Sequence, residues 1–345
     1  MSTPPPIAVL GAVVVPDPMA IADHDQLTVD ERRYIGAARA VNTVRGYRSD
    51  WTEFATWCDQ QGIAPLPAAP RTVSGYLTML AGHGAKVGTM SRRLSAIKFV
   101  HTMQNHTDPT ANALVVGVWE GIRRQHTTDP DQARPLMPPQ LWDVLATFPT
   151  QRTWKTPGRP PEPDLAGARN RAMLLVGFVA AMRRSEITAI DVEQIADHER
   201  GLVVQLSRSK TNQRGDAHEL VVLPRASNPA RCPVTALQTW LQLASITEGP
   251  VFRAVSKGNR ALDRRLTAAA VNDVLQRAVQ AAGLDDPESY SAHSLRAGFV
   301  TYAHTRGATD HAIAHQTRHR SLTSVGTYIR IDTAWDDNAA TQLGL

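Results

Sequence analysis

Apolar residues in the first third of this 345-residue chain recur at intervals of three and four. Val44, Tyr47, Trp51, Phe54 and Cys58 share one helix face at that spacing, with Asn42 or Thr43 placed to cap the helix. A second helix is predicted after Pro70, carrying Val73, Leu77 and Leu80 and ended by Gly82 and Gly84. A third runs from about Thr89 through Leu94, Ile97 and Val100, and a fourth carries Leu114, Val118, Trp119 and Ile122. Four short amphipathic helices predict one helical bundle over residues 25–126.

The periodicity stops at Thr127. The stretch TTDPDQARPLMPP, residues 127–139, is proline-rich and reads as a linker between domains. Beyond it, over residues 140–330, the pattern is mixed. Asp164 to Ala181 predicts a long buried helix with Leu174, Leu175 and Phe178 inside. Leu202–Leu206 and Leu220–Leu223 read as strands joined by a polar turn around Asn212–Asp216. Further helices are expected at about 233–245, 267–282, 293–306 and 309–316, followed by a tail at 331–345. Residues 1–24 read as a flexible N-terminal tail, because their apolar run, Ile7 to Val15, is short and lacks the basic flank of a secretion signal. The expected fold class is mainly α with a small antiparallel sheet, an N-terminal helical bundle followed by an α+β domain.

Composition narrows the function classes. Hydrophobic residues at 42% and charged residues at 20% are ordinary for a globular protein, and no apolar run is long enough to predict a membrane span. Two cysteines, Cys58 and Cys232, suggest no disulfide framework and fit a reducing cytosol, with Cys58 expected in a core. A net charge of +5 favours a polyanionic partner. The stretch Arg71 to Gln125 concentrates that charge: Arg71, Lys86, Arg92, Arg93, Lys98, Arg123 and Arg124 face only Asp108 and Glu120. These bases are candidate contacts for a polyanion; the plainer alternative is a solvated helix surface.

Two weaker patterns carry little. Gly82, Gly84 and Gly88 lack the preceding strand and following lysine of a phosphate-binding loop and read as a turn. His311, His315 and His319 are spaced for a helical metal face, but no H-E-x-x-H pattern or cysteine pair accompanies them, so no metal is expected.

Four segments carry the chemistry. They are Met182-Arg183-Arg184-Ser185-Glu186-Ile187, Ser209-Lys210-Thr211, His293-Ser294-Leu295-Arg296, and His319 followed nine residues later by Tyr328. In order and spacing they resemble the tyrosine recombinases, or phage-type integrases, whose pattern is an arginine in an R-x-S-E-L-like turn, a strand-borne lysine, H-x-L-R, a G-H-like step and a tyrosine. The resemblance covers the second domain well. The first domain is similar to the family's helical core-binding domain, and the two-domain outline to the Cre branch.

The resemblance implies a site-specific DNA recombinase acting through a 3′-phosphotyrosine, with no metal or nucleotide cofactor. Arg183 and Arg296 would grip the non-bridging phosphate oxygens and stabilise the charge that grows on them. Tyr328 would be the nucleophile; its phenol is protonated at neutral pH and needs nearby cations or a histidine to lose that proton. Lys210 would protonate the leaving 5′-oxygen; Lys257, in a turn-like S-K-G-N-R, is the other lysine between the arginine motifs. His293 and His319 would contact the phosphate or relay protons, and Glu186 would position its neighbours. The family's glycine before the second histidine is Arg318 here, which would either strain a left-handed backbone or add a phosphate contact. Ala297-Gly298 stands where a second basic residue is more usual and suits close helix packing.

The expected partners are double-stranded DNA, a tetramer of this chain in the synaptic complex, and possible accessory DNA-bending proteins, with the two domains clamping duplex DNA. The tail at 331–345 would dock on a neighbouring protomer through Trp335 or Leu343. The expected location is cytoplasmic, with the nucleoid. The rival readings are a non-recombining DNA-binding regulator, a type IB topoisomerase-like relaxing enzyme, and a metalloenzyme built on the three histidines.

Overall fold

The computed structural model describes residues 27–126, 133–206 and 219–318. The chain divides into two units, one ending at Asp131 and the other beginning at Gln132. The N-terminal tail, the turn at 212–216 and the tail at 331–345 lie outside the described residues.

The first unit is helical. α1 (Val29–Ala37) opens on a capping box, Thr28 and Glu31 each accepting the other's backbone N–H. The sequence pattern overlooked α1 because it has no apolar stripe: Val29 and Tyr34 are exposed. α2 (Val41–Gln60) buries Trp51, Phe54 and Cys58 completely. Its N-cap is Ala40, with no side-chain cap; Asn42 instead sits inside the first turn and accepts from Arg45 Nη1 at 3.2 Å. α3 (Pro70–Gly82) and α4 (Val87–Met103) complete the core with Val73, Tyr76, Leu77, Met90, Ile97 and Val100. α5 (Ala113–Gln125) turns Val115 and Ile122 inward, while Leu114, expected on that face, is exposed. Helix α2 packs on α4, and α3 on α5. Cys58 is core, as its stripe implied, and burial pushes its thiol up to about 11.

The second unit surrounds one buried helix. After α6 (Gln140–Ala146) and the two-residue strands β1 (Gln151–Arg152) and β2 (Glu162–Pro163), α7 (Leu165–Val179) begins at Asp164, whose Oδ1 accepts from Gly167 N–H at 2.6 Å. Met173 to Val176 of α7 are fully buried. α8 (Arg184–Ala189) follows, then β3 (Ile195–His198), β4 (Gly201–Leu206) and β5 (Glu219–Pro224), an antiparallel sheet in the order β3-β4-β5. Strand β4 turns Leu202, Val204 and Leu206 into the core, and β5 turns Val221 and Leu223 inward while Leu220 and Val222 face out. α9 (Pro233–Leu243) packs on α7; β6 (Arg253–Val255) and β7 (Ala261–Arg265) form a hairpin. α10 (Ala268–Ala281), α11 (His293–Thr305) and α12 (Asp310–Thr317) close the unit, α11 lying against both α7 and α12. The described residues are mainly α with small antiparallel sheets, the fold class expected. None of their helices is long and apolar enough to cross a membrane.

Two glycines set how closely these helices approach. A Cβ on Gly177 of α7 would lie 2.8 Å from Ile187 Cδ1 and 3.0 Å from Leu295 Cδ1. A Cβ on Gly298 of α11 would lie 2.0 Å from the carbonyl oxygen of Leu136. Residues 133–139, read from sequence as the end of a linker, are therefore part of this unit's packing: Leu136 is fully buried and its N–H donates to Ser294 O at 3.0 Å. The lack of periodicity that suggested a linker reflects an extended segment laid across α11.

Gly298→Ala should destabilise the second unit by about 1–3 kcal/mol, because backbone meets the new methyl and cannot swing away. Urea unfolding of the two chains checks this; an unchanged midpoint would refute the close approach.

Candidate active site

The elbow joining α7 to α8 is the centre of the cluster. Helix α7 ends at Val179, and Ala181 takes φ 47° before the fully buried Met182 turns the chain into α8. Arg183 is the N-cap residue of α8, and its side chain is one-fifth exposed. Glu186, one turn on, accepts from Arg183 N–H at 3.0 Å through Oε2 and from Arg183 Nη1 at 2.6 Å through Oε1. Glu186 is both the helix cap and the arginine's partner.

Arg296 reaches the same elbow from α11. It is 1% exposed, and Nη1 donates to Ala181 O at 2.7 Å while Nη2 donates to Thr317 O at 2.6 Å. Two of its five N–H donors thus tie the elbow to the end of α12. The neighbouring apolar positions of both motifs are packing positions: Ile187 and Leu295 close over Gly177.

Arg318 closes the cluster: it takes the left-handed backbone its position suggested, and its side chain finds buried partners that the sequence did not indicate. Its backbone is left-handed, φ 58° and ψ 41°, a conformation that costs a non-glycine residue roughly 1–3 kcal/mol. Its side chain is only 5% exposed and turned inward onto Glu186. Nη2 donates to Glu186 Oε2 at 2.7 Å, Nη1 donates to Gln316 O at 3.1 Å and Ala180 O at 3.3 Å, and Nε lies 3.6 Å from Glu219 Oε2. Neither Arg318 as a buried ion-pair partner nor Glu219 at the start of β5 was identified from sequence; the bringing together of residues 186, 219 and 318 is tertiary.

The charges are mutually supported. Burial pushes the Glu186 carboxyl up, but the Arg318 charge and the Arg183 N–H and guanidinium outweigh it and hold the group below its ordinary 4.5. Burial likewise pushes the Arg318 guanidinium below its ordinary value, against the pull of Glu186 and Glu219, yet it remains cationic at neutral pH.

His293 is exposed at the first position of α11, its N–H donating to Ser291 Oγ at 3.2 Å. Lys210, His319 and Tyr328 lie outside the described residues. His311 and His315 are exposed, and no group of three metal-ligating side chains occurs among the described residues.

The basic residues of the first unit separate into two kinds. Arg93 is a structural clamp, 15% exposed, paired with Glu53 and donating to Tyr76 Oη at 3.0 Å. Arg92 bridges the fully buried Asp50 through Nε at 2.6 Å and Nη2 at 2.9 Å. Lys98 pairs with Asp108 at 3.3 Å. Arg71, Lys86, Arg123 and Arg124 have exposed side chains.

Residues 159–334 match the model described as "Phage integrase family", and residues 33–104 match "Phage integrase, N-terminal SAM-like domain". The chain is 31% identical over 326 residues to the "Integrase/recombinase xerD homolog" of Selenomonas ruminantium, covering 94% of this chain and 91% of that one. In fold it is similar to XerH site-specific recombinase bound to palindromic difH substrate, with a TM-score of 0.60 at 15% identity over 91% of this chain and 82% of that chain. It is similar also to the Tn1549 transposon integrase in complex with transposon right end DNA, with a TM-score of 0.58 at 14% identity over 92% and 98%. The chain belongs to the phage integrase family.

The Glu186 ion pairs make a pH prediction. Its folded-state carboxyl titrates below the ordinary value, so the stability it contributes is present above about pH 4.5 and is lost as pH falls through the folded value. Glu186→Gln should be less stable than the native chain at pH 7 by on the order of 3 kcal/mol, with the gap narrowing below pH 4.5. Urea midpoints measured from pH 3 to 8 check it; parallel profiles would refute it.

Proposed function

We propose that this chain is a tyrosine recombinase that cuts and rejoins duplex DNA at specific sites through a 3′-phosphotyrosine on Tyr328, without metal or nucleotide. The observation that carries the reading is the convergence of two arginines on one elbow, Arg183 held there by Glu186 and Arg296 reaching Ala181 across 115 residues of sequence. A phosphodiester repels an incoming oxyanion, and fixed guanidiniums oppose that repulsion most strongly where water is excluded. Arg183 and Arg296 would hold the non-bridging oxygens, and His293 and His319 would contact the phosphate or relay the phenol proton. Lys210 would protonate the departing 5′-oxygen. The tyrosyl phosphate keeps the energy of the broken bond, so the 5′-hydroxyl of another strand can reverse the step.

Double-stranded DNA is the substrate in this reading, with four copies of the chain on two duplexes in the cytoplasm. The first unit would supply phosphate contacts through Arg71, Lys86, Arg123 and Arg124. A protein that only bound DNA, or relaxed it alone, gains no support from the relatives, which are named as recombinases and integrases.

The test uses a randomised pool of duplexes nicked near their centres, from which covalent protein–DNA adducts are recovered after denaturation. The native chain should yield adducts of a defined sequence, in EDTA as well as without it. Arg183→Ala should lower the rate on the recovered duplex by roughly 10²–10³-fold. Tyr328→Phe should yield none, and an adduct with that variant sinks the proposal.

The two kinds of base in the first unit should part in DNA titrations. Arg123→Ala should weaken binding and reduce the slope of log K against log salt by about 0.9. Arg93→Ala should lower the melting temperature and leave that slope unchanged; a slope change from Arg93→Ala would overturn its assignment as a clamp.

A further inference from the structure

We propose that Arg318 is a positioning residue for Arg183, acting through the Glu186 carboxylate that the two guanidiniums share. The inference rests on the reading of Arg183 as a phosphate-binding group and assigns a role to the residue that stands where the family pattern has glycine.

What Arg318 controls is the allocation of the two Glu186 oxygens. A carboxylate beside a lone arginine settles into a two-point fork, taking two parallel N–H donors. Glu186 cannot do so here. Its Oε1 takes Arg183 Nη1 at 2.6 Å, while Oε2 is occupied by Arg318 Nη2 at 2.7 Å and by the Arg183 backbone N–H at 3.0 Å. Arg318 thereby limits Arg183 to one side-chain donor given to Glu186. Without Arg318, Oε2 would be able to turn onto the Arg183 guanidinium and draw it back from a bound phosphate.

The anchorage of Arg318 suits this role. Its backbone is held left-handed at the end of α12, and its guanidinium spans the carbonyls of Ala180 and Gln316, with Glu219 of β5 on its other side. Among the described residues, the charged groups against Glu186 are Arg183 and Arg318, and those against Arg318 are Glu186, Glu219 and Arg183. Removing Arg318 leaves Glu186, 3% exposed, with one cation in place of two, so its proton affinity must rise. A residue that merely filled space would leave that titration where it is.

Two measurements follow on full-length chains: the native protein, Arg318→Met, Arg318→Lys and Glu186→Gln. The first is single-turnover adduct formation on the duplex recovered above, at saturating DNA, from pH 3 to 9. Arg318→Met should be roughly ten- to a hundredfold slower at neutral pH, the scale of a misplaced group. Its acid limb should move up by about one pH unit or more, since one unit reports a tenfold change in proton affinity. Arg318→Lys should return that limb toward its native position, and Glu186→Gln should lack it. An Arg318→Met chain slowed equally at every pH, with the limb in place, overturns the proposal.

The second measurement needs no DNA. Urea midpoints against pH should show Arg318→Met beginning to lose stability at a higher pH than the native chain, with Arg318→Lys close to native. Coincident profiles overturn the inference even if no duplex is ever cleaved. If native protein forms no adduct while the profiles shift as expected, the pairing of Arg318 with Glu186 stands and the recombinase reading fails.

Discussion

A guanidinium buried to 1% exposure must have its donors met by oxygen, and two of the oxygens that Arg296 uses are main-chain carbonyls. The carbonyls belong to Ala181 and Thr317, so satisfying one side chain fixes the elbow after α7 against the end of α12. The left-handed Ala181, the cap at Arg183 and the ion pairs of Glu186 all sit on the elbow that this contact holds. Arg318 then repeats the device one residue further along, reaching Ala180. Two buried cations crossing the same two segments leave little freedom to shift one against the other.

Packing serves the same end. Helices α7, α8 and α11 approach closely at Gly177, where Ile187 and Leu295 fill the space a side chain would take. The polar members of each motif face the cluster because the apolar members of the same short segments face the core. Chemistry and folding are read from alternate positions of one stretch of chain, as in Ser294, Leu295 and Arg296, all buried but each meeting a different neighbour.

Much of this was legible in the sequence, for definite reasons. Trp51, Phe54 and Cys58 announce α2 by spacing alone, and α7 and the helices from α9 onward fall near their expected bounds because apolar stripes are hard to mistake. Arg183, Glu186 and Arg296 could be singled out because each sits in a short, ordered motif. What stayed hidden depended on distance in three dimensions. Helix α1 is polar and is set by its cap, Arg93 looks like any surface base until Glu53 and Tyr76 are seen beside it, and Glu219 carries no motif. Arg318 stood out as a departure, but the direction of its side chain is decided by a carboxylate 132 residues earlier.

The segment before α6 bears on how the chain can be divided. Leu136 lies in the groove over Gly298, and Arg134 N–H donates to Ser289 O at 3.0 Å, so these residues behave as an extra strand-like strap of the catalytic half. A fragment begun at residue 140, where the regular helices start, would strip that strap away. It would bare the Gly298 groove and the buried Ser294 carbonyl to water, beside the helix that carries Arg296. A cut meant to isolate the catalytic half therefore belongs ahead of Arg134, among residues that proline content alone would have marked as dispensable.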